Sequence, residues 1–331
     1  MENSQKKAVL FICPAFFGYE ILIKNAIINN GYEVDYFDER TSNNSFMKAV
    51  FRFKKDLLEK FIQKYYVNIL EQIKNKKYNY FFLIKGEVVP ENFILEFKRK
   101  NPTAKLIYFS YDSMNNNNRN STQILKYFDS CFSFDFEDVK NYPFFKLKHL
   151  FFGPNYLDST LKETQYRVYD ISFVGTLHSN RFSVMKLLFD KFDSSFVFLY
   201  SPARWWYAFN KISNKEYRRI KWSDVSFNKL SQHEVATIFK TSKSVLDIQR
   251  FGQTGLTART FEVLAVGAVL ITTNSYIKQA DFYDENDVIV IDNIDNLKNF
   301  DEIKKKLDNH VGNSQKMNKY YVDNWVKEFF E

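Results

Sequence analysis

Glycine is scarce in this chain, 9 of 331 residues, under half the usual share of about 7%. That excludes a collagen-like or glycine-rich linker chain and makes each glycine a position to explain. There are two cysteines, Cys13 and Cys131. Each sits in an apolar, strand-like run (VLFIC, CFSF), so two buried free thiols suited to a reducing cytosol are expected rather than a disulfide framework. The four histidines, His149, His178, His233 and His310, are scattered, and no Cys/His cluster has zinc spacing. No metal site is expected. The longest apolar runs are pieces such as YFFLI, far short of the ~18 residues that span a bilayer. The opening MENSQKK leads into a short strand-like segment, not the apolar core of a signal peptide. GxGxxG and GxxxxGK[ST] are both missing, so neither dinucleotide nor P-loop binding is supported. No repeat appears at solenoid periods.

What is present is ample core material. Phe, Tyr and Trp make up 18% of the chain and hydrophobic residues 45%, enough for the two domains that 331 residues imply. Lys and Arg number 47 against 39 Asp and Glu, a net charge of +8. This balance favours anionic partners such as nucleotides, phosphates or acidic headgroups.

Short β-rich runs alternate with helical patterns. In the first half Lys7–Cys13, Tyr80–Ile84, Lys105–Phe109 and Ser130–Phe134 read as buried strands, apolar almost throughout as in a parallel sheet covered on both faces. Helices are expected at Glu20–Asn30 with a stop at Gly31, around Ser45–Lys74, and at Glu91–Lys100. The pattern restarts with strands at Asp170–Gly175, Phe196–Tyr200, Ser244–Ile248, Val269–Thr272 and Val288–Ile291. Ser231-Gln-His-Glu234 is a capping box, and Thr257–Val266 reads as a helix ending at Gly267. Two closing helices are expected near Asn296–Leu307 and Ser314–Phe330. Two successive sets imply an α/β chain of two Rossmann-like, doubly wound domains. The boundaries read 1–155 and 156–313, with 314–331 a C-terminal helix crossing back to the first domain and the polar stretch Asn155–Arg167 as the link.

Ligands of open parallel sheets bind beyond the carboxyl ends of the strands, which singles out the residues following each run. Gly18 and Glu20 follow the first. Lys85-Gly86-Glu87 and Tyr111-Asp112-Ser113 follow two others, and either carboxylate is suited to accept a proton from a sugar hydroxyl. Asp112 is equally readable as a turn cap and Glu87 as a solvated loop residue. The asparagine run 115–120 is a loop of the kind that holds ligands or merely links.

The most specific stretch runs from Asp247 to Gly267. A strand end, the loop Gly255-Leu256-Thr257 and a helix start present amides suited to a diphosphate. Arg259 lies in that helix's first turn, where a cation opposes the dipole and a bound anion would account for it. Glu262, three residues on, is suited to accept two ribose hydroxyls; a simple Arg259–Glu262 surface pair is the alternative. Gly175 and Arg181 repeat the strand–glycine–helix theme, and Arg204 follows a further strand beside Trp205 and Trp206. The stretch from Arg204 to Trp222 is both basic and aromatic, a surface for anionic lipid headgroups or an acidic glycan.

Asp170-Ile-Ser-Phe-Val-Gly175 with Arg181, Arg259-Thr-Phe-Glu262 with Gly267, and Lys85-Gly86, Tyr111-Asp112-Ser113 and Phe134-Asp135 together resemble bacterial glycosyltransferases of the two-Rossmann GT-B architecture. The group that includes CgeB-like and surface-polysaccharide (capsule or lipopolysaccharide) transferases is the nearest in pattern. The resemblance implies a C-terminal domain that binds a nucleotide-sugar, an N-terminal domain that binds a glycan or lipid-linked acceptor, and a cleft between them. It implies donor contacts from Gly175, Arg181, Arg204, Gly255, Leu256, Thr257, Arg259 and Glu262, catalysis by Asp112, Glu87 or Glu20, and no metal or other cofactor. Many retaining members carry a second glutamate eight positions before the place of Glu262; here that position is Thr254, so stereochemistry stays open. The expected location is the cytoplasm, at the inner face of the cell membrane, with peripheral contact through 204–222 and no nucleic acid bound. A nucleotide-sugar epimerase-like or hydrolytic enzyme, and a non-catalytic basic protein binding RNA or membrane, are the alternatives.

Overall fold

The computed structural model describes residues 6–40, 55–114, 119–157, 167–177, 181–250, 252–291 and 300–331. The asparagine loop 115–118, most of the predicted link, and His178 lie outside them.

The chain forms two compact units, the first comprising Met1–His149 with Val322–Glu331, the second Leu150–Tyr321. In the first, six parallel strands stand in the order β2-β1-β3-β4-β5-β6. They are β1 (Ala8–Cys13), β2 (Glu33–Asp38), β3 (Tyr80–Ile84), β4 (Lys105–Ser110), β5 (Ser130–Ser133) and β6 (Phe145–Leu147). The expected helices are present at Tyr19–Asn29, Lys55–Gln72 and Glu91–Lys100. β1 and β3 are buried along their whole lengths, which is why their sequences are unbroken apolar runs. β2 and β6 are additions to the expected set. β2 (EVDYFD) is a half-exposed edge strand and β6 has three residues, so neither shows such a run.

One face of this sheet is covered by the Val322–Phe330 helix. Trp325, Val326, Phe329 and Phe330 are all buried, with Phe329 against Phe82, Phe109 and Phe132. The Trp325 indole donates to the His149 carbonyl at 2.6 Å. The expected single helix 314–330 is in fact broken. A 3₁₀ segment, Gln315–Tyr320, ends at Tyr321, whose extended backbone (ψ 136°) pairs with Phe152.

The second unit has the strand order β12-β11-β10-β7-β8-β9, again all parallel. Its strands are β7 (Tyr169–Thr176), β8 (Ser195–Tyr200), β9 (Val225–Ser226), β10 (Ser242–Asp247), β11 (Val269–Thr272) and β12 (Val288–Val290). Counted from β7 this is the 3-2-1-4-5-6 order of the dinucleotide-binding fold, and its reversal falls between β7 and β10. In the first unit the reversal falls between β1 and β3. Both units are therefore parallel-sheet, Rossmann-like α/β domains. The Ser231 capping box closes reciprocally with Glu234. Among the described residues no helix is long and apolar enough to cross a membrane.

Candidate active site

In the second unit the strand-order reversal brings the end of β7 beside the end of β10, and most of the candidate donor residues lie there. β10 ends on Asp247, whose side chain is 3% exposed. Its Oδ2 accepts a hydrogen bond from the Thr257 hydroxyl at 2.7 Å and its Oδ1 one from Arg259 Nη1 at 3.2 Å. Thr257 is the N-cap of the Ala258–Ala265 helix, yet its side chain makes no cap hydrogen bond; its hydroxyl donates to Asp247 instead. Asp247 thus answers the question that a cation in the first helical turn raises: a buried carboxylate holds it there. The guanidinium also lies over the Phe173 ring, 6.0 Å from its centroid, and its Nε is buried with no hydrogen-bond partner among the described residues.

Gly175, on β7, sits below this arrangement. A Cβ built there would stand 2.8 Å from Cζ of Phe173. The glycine therefore makes room for the ring on which Arg259 rests. Gly255 and Leu256 lie in the loop before the helix. Asn274, itself buried, donates to the carbonyls of Thr254 and Gly255 at 3.1 and 3.3 Å, and Leu256 is 1% exposed, so it has only backbone to offer a ligand. Glu262 is buried, 6% exposed, and hydrogen-bonded with Tyr156, whose phenol burial and this carboxylate push far above its ordinary pKa. Arg204 opens the Arg204–Ser213 helix, is exposed, and lies 5.6 Å from the Phe227 centroid. Arg181 opens the Arg181–Phe189 helix after β7; its side chain lies outside the described residues.

In the first unit the candidates gather at the carboxyl ends of β1 to β4. Lys85 and Gly86 both have left-handed backbone (φ 80° and 72°), as do Phe17 and Gly18 (φ 54° and 81°). A non-glycine residue so placed needs its surroundings to hold it. For Lys85 the support is visible. Glu39, fully buried, accepts hydrogen bonds from the N–H groups of Gly86 at 3.1 Å and Val88 at 2.8 Å, and Tyr108 donates to the Lys85 carbonyl at 2.8 Å. A Cβ at Gly86 would come 2.8 Å from the Ile124 side chain, on a backbone already at positive φ, so a larger residue at this position would be both strained and crowded. Burial pushes the Glu39 carboxyl up to about 7, against the pull of the two N–H groups.

Glu87 is bound by two cations, Arg40 Nη2 and Lys85 Nζ, each at 3.1 Å. Burial works to raise its pKa, but these two hold the carboxyl below the usual carboxylate range. Lys85 Nζ also lies 3.9 Å from Asp112 Oδ2, whose side chain keeps 29% exposure. Glu20 accepts from the Phe16 N–H at 2.9 Å, bracing its own loop. Beside these charges Phe16, Phe17, Tyr19 and Tyr111 form an aromatic group. Phe16 and Tyr111 stand edge to face at 6.2 Å, and Phe16 and Phe17 are each 48% exposed. Asp138, absent from the expected set, braces the loop after Asp112 by accepting from Met114 N at 3.0 Å and Ser133 Oγ at 2.6 Å; burial pushes it up to about 6.

Known proteins match this arrangement at the level of fold. Residues 198–320 match the profile of a family described as glycosyl transferase-like. No curated protein matches the sequence. Anabaena Alr3699/HepE, solved in complex with UDP and glucose, is 10% identical with a TM-score of 0.58 over 97% of this chain and 98% of that one. The UDP-forming α,α-trehalose-phosphate synthase of Burkholderia xenovorans, in complex with glucose-6-phosphate, is 8% identical with a TM-score of 0.58, covering 98% and 99%. The UDP-GlcNAc 2-epimerase of Neisseria meningitidis, bound to UDP-GlcNAc, is 9% identical with a TM-score of 0.55, covering 98% of both. The chain thus has the GT-B fold of two Rossmann-like domains, shared by glycosyltransferases and epimerases, with glycosyl transferase-like sequence across residues 198–320.

Proposed function

We propose that the chain is a glycosyltransferase that moves a sugar from a nucleotide-sugar to a glycan or lipid-linked acceptor in bacterial surface polysaccharide synthesis. The carrying observation is Arg259, fixed by a buried Asp247 at the start of the Ala258–Ala265 helix, beside the strand-order reversal of the second unit. A guanidinium with hydrogen-bonding capacity to spare, next to helix N–H groups, is suited to the diphosphate of a nucleotide-sugar. Gly175, Arg181, Arg204 and the backbone of Gly255, Leu256 and Thr257 complete the donor set in this reading, and Glu262 accepts from the ribose hydroxyls.

The acceptor hydroxyl attacks the anomeric carbon, the bond from that carbon to the phosphate oxygen breaks, and the nucleoside diphosphate leaves with both electrons. Arg259 and the helix N–H groups stabilise the charge that grows on it, so no bound metal is required. In this reading Asp112 takes the proton of the attacking hydroxyl. Glu87 is held by two cations, which weakens it as a base, and Glu20 is committed to the Phe16 N–H of its own loop. The Phe16–Phe17–Tyr111 group offers ring faces on which an acceptor sugar stacks.

The test is nucleotide release (the nucleoside diphosphate from UDP-, GDP-, ADP- and dTDP-sugars, CMP from CMP-sugars), with and without glycan acceptors. Acceptor-dependent release, abolished in Arg259→Ala and reduced ~100-fold or more in Asp112→Asn, supports the reading. Isomerised donor without acceptor overturns it.

A further inference from the structure

The Arg204–Ser213 helix faces the wrong way for a helix of a globular domain. Its inward side buries Tyr207, whose hydroxyl donates to the Ile220 carbonyl at 2.8 Å. The outward side carries Trp205, Trp206, Phe209 and Ile212, which are 70%, 41%, 59% and 75% exposed. Spaced at i, i+1, i+4 and i+7, these four share one edge of the helix. Exposed single hydrophobic residues are ordinary, but four large ones on a single edge mark an interaction surface. Trp206 also stacks on Phe209, at 6.3 Å and 25°, so the edge is a preformed apolar ridge.

Its surroundings are cationic. Lys215, Arg218, Arg219 and Lys221 follow directly and are all exposed. Arg218 turns back to cap the helix, donating to the Ile212 carbonyl at 2.6 Å, which keeps its charge at the end of the ridge. Against these four cations the segment to Trp222 offers one carboxylate, Glu216, already 3.8 Å from Arg219. Trp205 and Trp206 combine an apolar body with a polar N–H, and tryptophan favours the boundary between headgroups and acyl chains. A ridge of this composition, flanked by lysine and arginine, has the make-up of an interfacial membrane helix.

We propose that this ridge inserts into the interface of a bilayer rich in anionic phospholipid, with Lys215, Arg218, Arg219 and Lys221 on the headgroups. The proposal holds whether or not the chain transfers sugar, because it uses none of the candidate donor or acceptor contacts.

The test is co-sedimentation of the full chain with vesicles of phosphatidylcholine alone and of phosphatidylcholine mixed with phosphatidylglycerol. The expected result is binding to the mixed vesicles only, a blue shift of tryptophan emission on binding, and steep weakening with salt. Phe209→Ser with Ile212→Ser should weaken binding at least roughly tenfold, and Lys215→Gln with Arg219→Gln by a comparable factor. All four side chains are at the surface, so the melting temperature of each variant should stay at the wild-type value. Equal binding by either double variant overturns the proposal. So does a ridge that instead drives concentration-dependent self-association, or retention on a soluble acidic polysaccharide with vesicles ignored.

Discussion

Asp247 Oδ1 lies 3.2 Å from Arg259 Nη1, and the same buried carboxylate accepts the Thr257 hydroxyl at 2.7 Å. One side chain at a strand end therefore sets both the cap residue and the first-turn cation of the next helix. Asp247→Ala removes both hydrogen bonds and leaves a cation opposed by the helix dipole. Arg259 is one-fifth exposed, so water recovers part of the loss; the expected cost is about 2 kcal/mol, read by urea denaturation. A variant as stable as the wild type would mean that Arg259 is held by something else.

Gly175→Ala tests the floor of the same arrangement. Its new methyl would meet the Phe173 ring at 2.8 Å, and Phe173 is fully buried, so the ring has to move. Overpacking of this kind costs about 1–3 kcal/mol. Because the ring underlies Arg259, nucleotide affinity should fall as well, whereas Gly252→Ala, where a Cβ meets nothing within 4 Å, should lose stability through its positive φ alone and keep its core intact.

Glu39 makes stability depend on pH. Its folded carboxyl titrates at about 7 against an ordinary 4.5, so between those values the folded state holds a proton that the unfolded state has released. Stability from this group is full below about pH 4.5, falls as pH rises, and levels off above about 7, a change of about 3 kcal/mol. Glu39→Gln should abolish that slope. The variant puts an amide N–H₂ against one of the two backbone donors, so it is less stable than the wild type at pH 5, and the gap narrows toward pH 8. Parallel curves for the two proteins would contradict this.

Trp325 anchors the C-terminal helix on the first unit. It is fully buried, 5.2 Å from Phe109 and 4.7 Å from Phe329 between ring centroids, and its indole donates to His149. Trp325→Ala should cost about 3–5 kcal/mol, and chemical denaturation of the full chain checks it.

The elements that could be read from sequence are those whose burial leaves an unambiguous trace. β1, β3 and β11 are apolar on both faces and appear as unbroken runs; the Ser231 capping box announces its helix. β2 leaves no such trace, since an edge strand tolerates Glu33, Asp35 and Asp38, and with β2 went Glu39, the residue that braces the Lys85–Gly86 turn. Arg259 was legible as a cation out of place at a helix start. Its partner Asp247 was not, because a pairing twelve positions apart depends on how the loop folds back. Likewise Glu262 read as an open carboxylate, while its contact with Tyr156 joins residues more than a hundred positions apart.

The most direct test of the account is the thermal stability of the full chain with UDP, GDP, ADP and dTDP, repeated with Arg259→Ala. At roughly a hundredfold excess over Kd a bound nucleotide adds about 2.7 kcal/mol, visible as a raised melting temperature. At least one of these diphosphates should stabilise the wild type, and Arg259→Ala should weaken its binding at least roughly tenfold, about 1.4 kcal/mol. No response to any diphosphate, or equal affinity in Arg259→Ala, would contradict this.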